Sequence, residues 1–494
     1  MLVTAAIGHS ARSGVGGMLS IPIEEIRAAA RHRIVQCFSP EFFPELKSAR
    51  HLGMHGVPLP PKRTLFLPRP MSDPRTTDLI PQADPRKEMQ RPGVPKLSVL
   101  LIANYEPDAQ QSMQRFAAVM AKELALRGVE VEMVRPEPFF GRLRPGATGF
   151  GKWLGYLDKF FVFPRALRKK LSTLKAQGST DLVVHICDHS NAFYTRYLRD
   201  VPHVVTCHDM LAVRSALGEI PQNPTRWSGR RLQRIILNGM HSSENIACVS
   251  ESTRRDLCRL VEQATLRCIV VEMGQNNKFA PVPLGQARAR VLEMARQAGH
   301  APPPGVRYVV HVGGEQWYKN RKGVVEIFCE LRRSSDQEDL WLFMVGKPLS
   351  GELKALIDEA GLSERIVELP SVSHEDLCSI YSAAELLLFP SLQEGFGWPI
   401  IEAEACGCRV VTTARPPMND VGGEAAACIE PEDIPASLDV LLNVLYEDES
   451  QREARVARGF ANAAKYATKR MIDVYLALYG RAIERKLCAT VTNN

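Results

Sequence analysis

The sequence predicts an α/β protein made of two doubly wound, Rossmann-like domains that face each other across a cleft, behind a disordered N-terminal extension. Three observations carry this. Short runs of valine, isoleucine and leucine alternate with amphipathic helical stretches from Leu97 onward, as parallel strands with crossover helices require. The series occurs twice, on either side of Pro302-Pro-Pro-Gly305. The chain is 494 residues long, more than the ~250–300 residues that one core usually organises.

The elements follow in order. From Val57 to Pro95 there are ten prolines in 39 residues, so neither a ladder nor a long helix can run through. Residues 1–96 are therefore read as an extension, with one short helix allowed from Ile23 to Ile34. Leu97 to Ala103 is an apolar run ending at a polar turn, a buried parallel strand. Met113 to Arg127 is helical, with Phe116, Met120 and Leu124 on one face and Gly128 closing it. Strands are expected at 129–134, 181–187, 204–207, 245–249 and 268–273. The second series places strands at 308–312, 340–345, 366–369, 385–389 and 409–413, with helices between them. The predicted domains are 97–284 and 306–450, with C-terminal helices over 451–494 packing back on the first. In such sheets ligands bind beyond the carboxyl ends of the strands, and two such domains share the cleft between them.

Composition narrows the class. Apolar residues make up 45% and charged residues 24%, ordinary for a globular enzyme. The net charge of +7 is uneven. Residues 1–96 hold 14 basic and 8 acidic side chains, and residues 135–175 hold 10 and 2, so the remainder is 7 − 6 − 8 = −7. A net acidic body is a poor nucleic-acid binder. Twelve dispersed cysteines without a C-x-x-C are neither a disulfide framework nor a metal clamp. No apolar run reaches the ~18 residues of a membrane span, and no secretory signal is visible. The expectation is a cytoplasmic protein, with a peripheral membrane contact at the inner face as a further option.

The richest segment is Pro390-Ser-Leu-Gln-Glu394-Gly-Phe-Gly-Trp-Pro-Ile-Ile-Glu402. It follows a strand and opens a helix. Gly395 and Gly397 let backbone N–H groups approach a ligand, and Pro399 suits a first helical turn. A helix N-terminus with free amides attracts anions. Glu394 beside it suits sugar hydroxyls next to a diphosphate, and Glu402 suits vicinal ribose hydroxyls.

This E-x7-E spacing resembles that of the retaining, GT-B-fold glycosyltransferases of family 4. The likeness extends through Leu377 to Glu404, to Val312-Gly313-Gly314 and Lys319-Asn320, and to Cys248-Val-Ser-Glu-Ser-Thr-Arg-Arg-Asp-Leu257 and Val271-Glu-Met-Gly274. It spans roughly residues 97–480 and is tightest in the second half. The resemblance implies a retaining, metal-independent transfer of a hexose-type sugar from a nucleotide-diphosphate sugar to a hydroxyl of a glycan or lipid-linked acceptor. No cofactor is implied beyond the nucleotide sugar. Glu394 would contact the donor sugar, amides at Gly395 and Phe396 the diphosphate or hexose, and Glu402 the ribose. Lys319 would neutralise the leaving pyrophosphate in place of a metal. No D-x-D occurs in the chain.

The sequence departs from the family in places. Gly314 stands where an arginine is common, and Arg321 or Lys322 is the candidate replacement. The glycine-rich loop after the first strand is absent. Gln111 and Ser112 could offer amides to phosphate there, or Ser112 could simply cap the helix. Acceptor-side candidates end two strands of the first half: His189 with Asp188, then His208 with Asp209. Histidine has the right pKa for proton traffic near neutrality. His185 and His311 lie mid-strand and read as buried structural residues.

Trp153 to Lys170 interleaves aromatic and basic residues, which suits anionic lipid or a lipid-diphosphate acceptor or, more plainly, a helix with one solvated basic face. The rival functions are a sugar-nucleotide epimerase of similar fold and a non-catalytic nucleotide-sugar-binding or scaffold protein. No G-x-G-x-x-G follows a strand and no P-loop occurs, which disfavours a dehydrogenase or an NTPase.

Overall fold

The computed structural model describes residues 97–143, 149–177, 181–337 and 339–492. The expectations for residues 1–96 lie outside these. Two parallel six-stranded sheets are present. The first contains β1 (Ser98–Ile102), β2 (Glu130–Val134), β3 (Leu182–Ile186), β4 (His203–Cys207), β5 (Ile246–Cys248) and β6 (Cys268–Val270), in the order β2-β1-β3-β4-β5-β6. The second contains β7 (Arg307–Gly313), β8 (Leu340–Gly346), β9 (Ile366–Leu369), β10 (Leu386–Phe389), β11 (Val410–Thr413) and β12 (Ala427–Ile429), in the order β12-β11-β10-β7-β8-β9.

Central strands such as β3 and β4 are buried along their whole length, because helices cover both faces, and this forces unbroken apolar runs. β2 is the edge, and its glutamates Glu130 and Glu132 face solvent, which blunts pairing with another chain. β12 is three residues long and carries no readable period.

Each sheet reverses its winding once. In the first sheet this happens between β1 and β3, and in the second between β7 and β10. These are the topological switch points where ligands bind. Helix Gln111–Leu126 follows β1, with Phe116, Met120 and Leu124 buried. Its N-cap is Gln110, without a side-chain cap, so Ser112 lies inside the helix and does not cap it.

The described residues, from Leu97 on, form one compact unit. A single apolar cluster runs from Val99 and Phe116 through the linker residues Val271, Met273 and Phe279 to Val310, Phe343 and Ile400. The C-terminal segment divides in two. Helix Glu449–Lys465 packs on helix Trp398–Ala405 of the second sheet's layer. Helix Thr468–Thr492 crosses to the first sheet. There Tyr479 Oη lies 2.7 Å from His185 Nδ1, and Tyr475 Oη 2.7 Å from Thr206 Oγ1. Burial pushes the His185 pKa down to about 3. His311 is also fully buried, with Nδ1 3.0 Å from the Leu388 carbonyl.

Candidate active site

The residues after β7 and β10 meet at the second switch point. Lys319 Nζ contacts Glu394 Oε1 at 2.7 Å. Both side chains are largely enclosed, at 16% and 8% exposed, and the ammonium also lies 5.2 Å from the Phe389 ring centre. Asn320 fixes the turn. It caps helix Arg321–Ser334 through Gly323 N and donates to the Pro390 carbonyl at 3.1 Å. The Leu392 N–H donates to the Tyr318 carbonyl at 2.7 Å. The two loops are thus tied by backbone as well as by charge.

Gly313 ends β7 and Gly314 follows it. Gly313 packs backbone to backbone on β8, since a Cβ at Gly346 would stand 2.1 Å from the Gly313 oxygen. Arg321 turns away from the Lys319–Glu394 pair. Its guanidinium donates to the carbonyls of Lys347 and Pro348 at 2.7 and 3.2 Å. Of the two charges offered as replacing an arginine at Gly314, Arg321 therefore sits against the loop after β8, and Lys322 is exposed on the same helix, 3.5 Å from Glu326.

Gly397 has φ +110°, a backbone shape that opens helix Trp398–Ala405. Gly395 is pressed against the first domain, where a Cβ would stand 1.9 Å from the His208 oxygen. Its own carbonyl accepts from Ser250 Oγ at 2.7 Å and Thr253 Oγ1 at 3.4 Å. Phe396 is buried edge-on to Tyr466. Glu402 lies further down the helix and is buried. It accepts from Asn276 Nδ2 at 3.1 Å and Tyr381 Oη at 3.3 Å. Burial raises its pKa to about 7, against the pull of Asn276, the Arg115 charge and Tyr381.

On the first sheet, Asp188 is buried and accepts from Asn104 Nδ2 at 2.5 Å and Ser190 Oγ at 2.6 Å. His189 Nδ1 lies 3.1 Å from Asp188 Oδ1. Burial opposes charge on His189, but the hydrogen bond to Asp188 and the negative charge there win, and its pKa rises. His208 behaves oppositely. Its Nε2 sits 2.9 Å from the Cys187 carbonyl, and burial lowers its pKa despite Asp188 nearby. Asp209 accepts from the Leu211 N–H at 2.9 Å. A polar cleft of about 200 Å³ opens between the domains beside Glu394.

Gln111 and Ser112 are exposed at their helix start and make no contact with the Lys319–Glu394 pair. Sequence reasoning missed Asn276, Tyr381 and Asn104. Asn104 ends a strand, which was a usable signal. Asn276 lies in the linker with no pattern around it.

The aromatic-basic segment is one continuous helical run, with a π turn at Asp158–Val162 between helices Gly149–Leu157 and Phe163–Ala176. Phe160 stacks on Phe193 at 4.5 Å, and Lys159 pairs with Asp108 at 2.7 Å. Arg165, Arg168 and Lys169 remain exposed. Among the described residues no helix is long and apolar enough to cross a membrane.

Two α/β domains, each with a parallel six-stranded sheet and one switch point, make this a GT-B fold. Family profiles agree. Glycosyltransferase Family 4 matches residues 113–270, and glycosyl transferases group 1 matches residues 295–460. The chain belongs to this family and is a glycosyltransferase. It is 24% identical over 337 residues to O-antigen chain mannosyltransferase B of Escherichia coli, covering 67% of this chain and 84% of that one. It is 28% identical over 402 residues to D-inositol 3-phosphate glycosyltransferase of Mycobacterium sp. strain KMS, covering 75% and 85%. The catalytic domain of starch synthase IV from Arabidopsis thaliana, bound to ADP and acarbose, shares the fold at TM-score 0.58 and 14% identity, over 79% of this chain and 99% of that one.

Proposed function

We propose that the protein transfers a hexose-type sugar, with retention and without a metal, from a nucleotide-diphosphate sugar to a hydroxyl of a glycan or lipid-linked acceptor. The observation that carries this is the Lys319–Glu394 pair at 2.7 Å, set at the second switch point, with Glu394 lining the same cleft as Asp209 of the first domain. A diphosphate would draw Lys319 off Glu394 and leave the carboxylate to the sugar hydroxyls. Amides at the start of helix Trp398–Ala405 would share the phosphate charge, and Glu402 would take the ribose. The ADP in the starch synthase structure and the mannosyl specificity in the name of the Escherichia coli relative support a nucleotide hexose.

In a front-face transfer the bond from the anomeric carbon to phosphate oxygen breaks, and the acceptor oxygen bonds on the same face. The acceptor proton passes to the departing phosphate oxygen, so no protein nucleophile is needed. Lys319 offsets the charge that develops there, the role a metal fills elsewhere. His189, held through Nδ1 by Asp188, keeps Nε2 for a proton or an acceptor hydroxyl. Peripheral contact with anionic membrane through 153–170 would rest on Arg165, Arg168 and Lys169.

Thermal-shift and hydrolysis screens with UDP-, GDP- and ADP-sugars test the reading. At least one donor should bind and turn over, undiminished by a chelator. Glu394→Ala should abolish turnover in a folded protein. Binding by none of the donors refutes the proposal.

A further inference from the structure

We infer that the interdomain cleft beside Glu394 receives the acceptor as an uncharged, polyhydroxylated sugar unit and excludes a phosphorylated one. This rests on the transferase reading and names the chemistry of its acceptor. The cleft holds about 200 Å³, smaller than the ~300–1,000 Å³ of drug-sized pockets, so it suits one ring-sized unit. It is lined by Asp209 and Arg214 after β4, Ser252 and Asp256 after β5, and Gln393 and Glu394 after β10.

Hydrogen-bonding capacity comes first. Among the described residues the Asp209 carboxylate accepts one hydrogen bond, from the Leu211 N–H on Oδ1, so its other oxygen is open to a hydroxyl. Among the described residues the buried Gln393 side-chain oxygen has no hydrogen-bond partner, a state that costs about 1–3 kcal/mol until a donor arrives. Ser252 adds a hydroxyl that can give or take. Asp209, Gln393 and Ser252 thus turn acceptor oxygens toward the cleft, and the Gln393 amide N–H groups and the Ser252 hydroxyl can donate, a mixture that matches a polyol, whose hydroxyls both donate and accept.

Charge points the same way. Arg214 is the sole lysine or arginine among the lining residues. It is held by Asp256 at 2.9 Å and Glu219 at 3.2 Å. Those two carboxylates also share Arg259, at 3.6 and 2.7 Å, so the set of two bases and two acids is closed. Lys319 is paired with Glu394. Among the described residues no lysine or arginine pairs with Asp209. A phosphate here would meet a carboxylate with no uncommitted cation, where anion sites need charge-assisted donors.

The test uses the full chain loaded with whichever of UDP, GDP or ADP stabilises it. Saturation-transfer NMR is run with methyl α-D-mannopyranoside, methyl α-D-glucopyranoside, methyl β-D-galactopyranoside and the 6-phosphate of each. The expected result is binding by at least one neutral glycoside, with its 6-phosphate at least about tenfold weaker. Asp209→Asn and Ser252→Ala should each weaken the neutral glycoside about 5- to 30-fold, at unchanged nucleotide affinity and melting temperature. Asp256→Asn, which removes one of the two carboxylates holding Arg214 and leaves Glu219 at 3.2 Å, should narrow the gap between glycoside and phosphate. Equal or tighter binding of the phosphates, or no binding by any neutral glycoside, overturns the inference. A chain that binds none of the three nucleotides fails earlier, at the donor reading.

Discussion

Replacing Gly395 by alanine isolates the contact that closes the two domains. An alanine Cβ there would stand 1.9 Å from the His208 oxygen and 3.0 Å from its carbon. Carbon and oxygen settle at ~3.3–3.6 Å, so the loop and the His208 backbone must part by roughly 1.5 Å. Neither partner is a flexible side-chain end. Overpacking of this kind costs about 1–3 kcal/mol. Losing the Ser250–Gly395 hydrogen bond, now 2.7 Å, adds about 0.5–1.5 kcal/mol. The sum is about 1.5–4.5 kcal/mol against the closed arrangement, which corresponds to roughly 10- to 2,000-fold weaker nucleotide binding. Titration calorimetry with the preferred nucleotide measures this, and small-angle scattering reports the opening. Gly285→Ala is the control, because nothing lies within 4 Å of its Cβ. Affinity within twofold of the parent, with unchanged scattering, would refute the reasoning.

Three further outcomes are expected. Lys319→Ala should lower kcat by about 100-fold or more, the scale of removing one preorganised charge from a leaving group, and steady-state kinetics would show an unchanged kcat if the lysine only tethers Glu394. Glu402 and Glu404 are buried carboxyls whose pKa values rise from 4.5 to about 7 and about 8. The folded state binds their protons more tightly than the unfolded state does, so their contribution is greatest below pH 4.5 and is lost as pH climbs through 7 to 8. For Glu402 alone the loss is on the order of 3 kcal/mol, and urea titrations of Glu402→Gln should show a flatter decline between pH 5 and 8. Finally, liposome flotation with phosphatidylglycerol vesicles should weaken when Arg165, Arg168 and Lys169 are replaced by glutamine, and unchanged flotation removes the membrane contact.

Much of the fold was legible because burial on both faces leaves strands no room for polar residues. Val183, Val184, Val205 and Leu387 are all fully buried, and their runs read directly as strands. β12 failed this test, being short and only part-buried. Helix Trp227–His241 was hidden by its arginines, since only Ile236, Gly239 and Met240 are buried. At the site, Lys319 and Glu394 were named for separate duties. Their contact is a tertiary fact across 75 residues, invisible to local pattern. The direction of Arg321 was equally invisible, because two carbonyls of a neighbouring loop decide it. Asn276 reaches Glu402 from the linker across 126 residues, and only the folded chain brings them together.

The crossing of helix Thr468–Thr492 to the first sheet has a consequence for biosynthesis. Tyr475 and Tyr479 are fully buried against Phe116, His185 and Thr206, so the first domain's interior is completed by a helix made after the whole second sheet. During translation, at ~5–20 residues per second, the second domain can close while the first still exposes an apolar slot. A ribosome that stops before codon 468 releases a polypeptide with both sheets and every candidate site residue, yet without the piece that seals the first core. Separate expression of residues 97–284 should accordingly give an aggregation-prone fragment, and adding helix 468–492 in trans should rescue it.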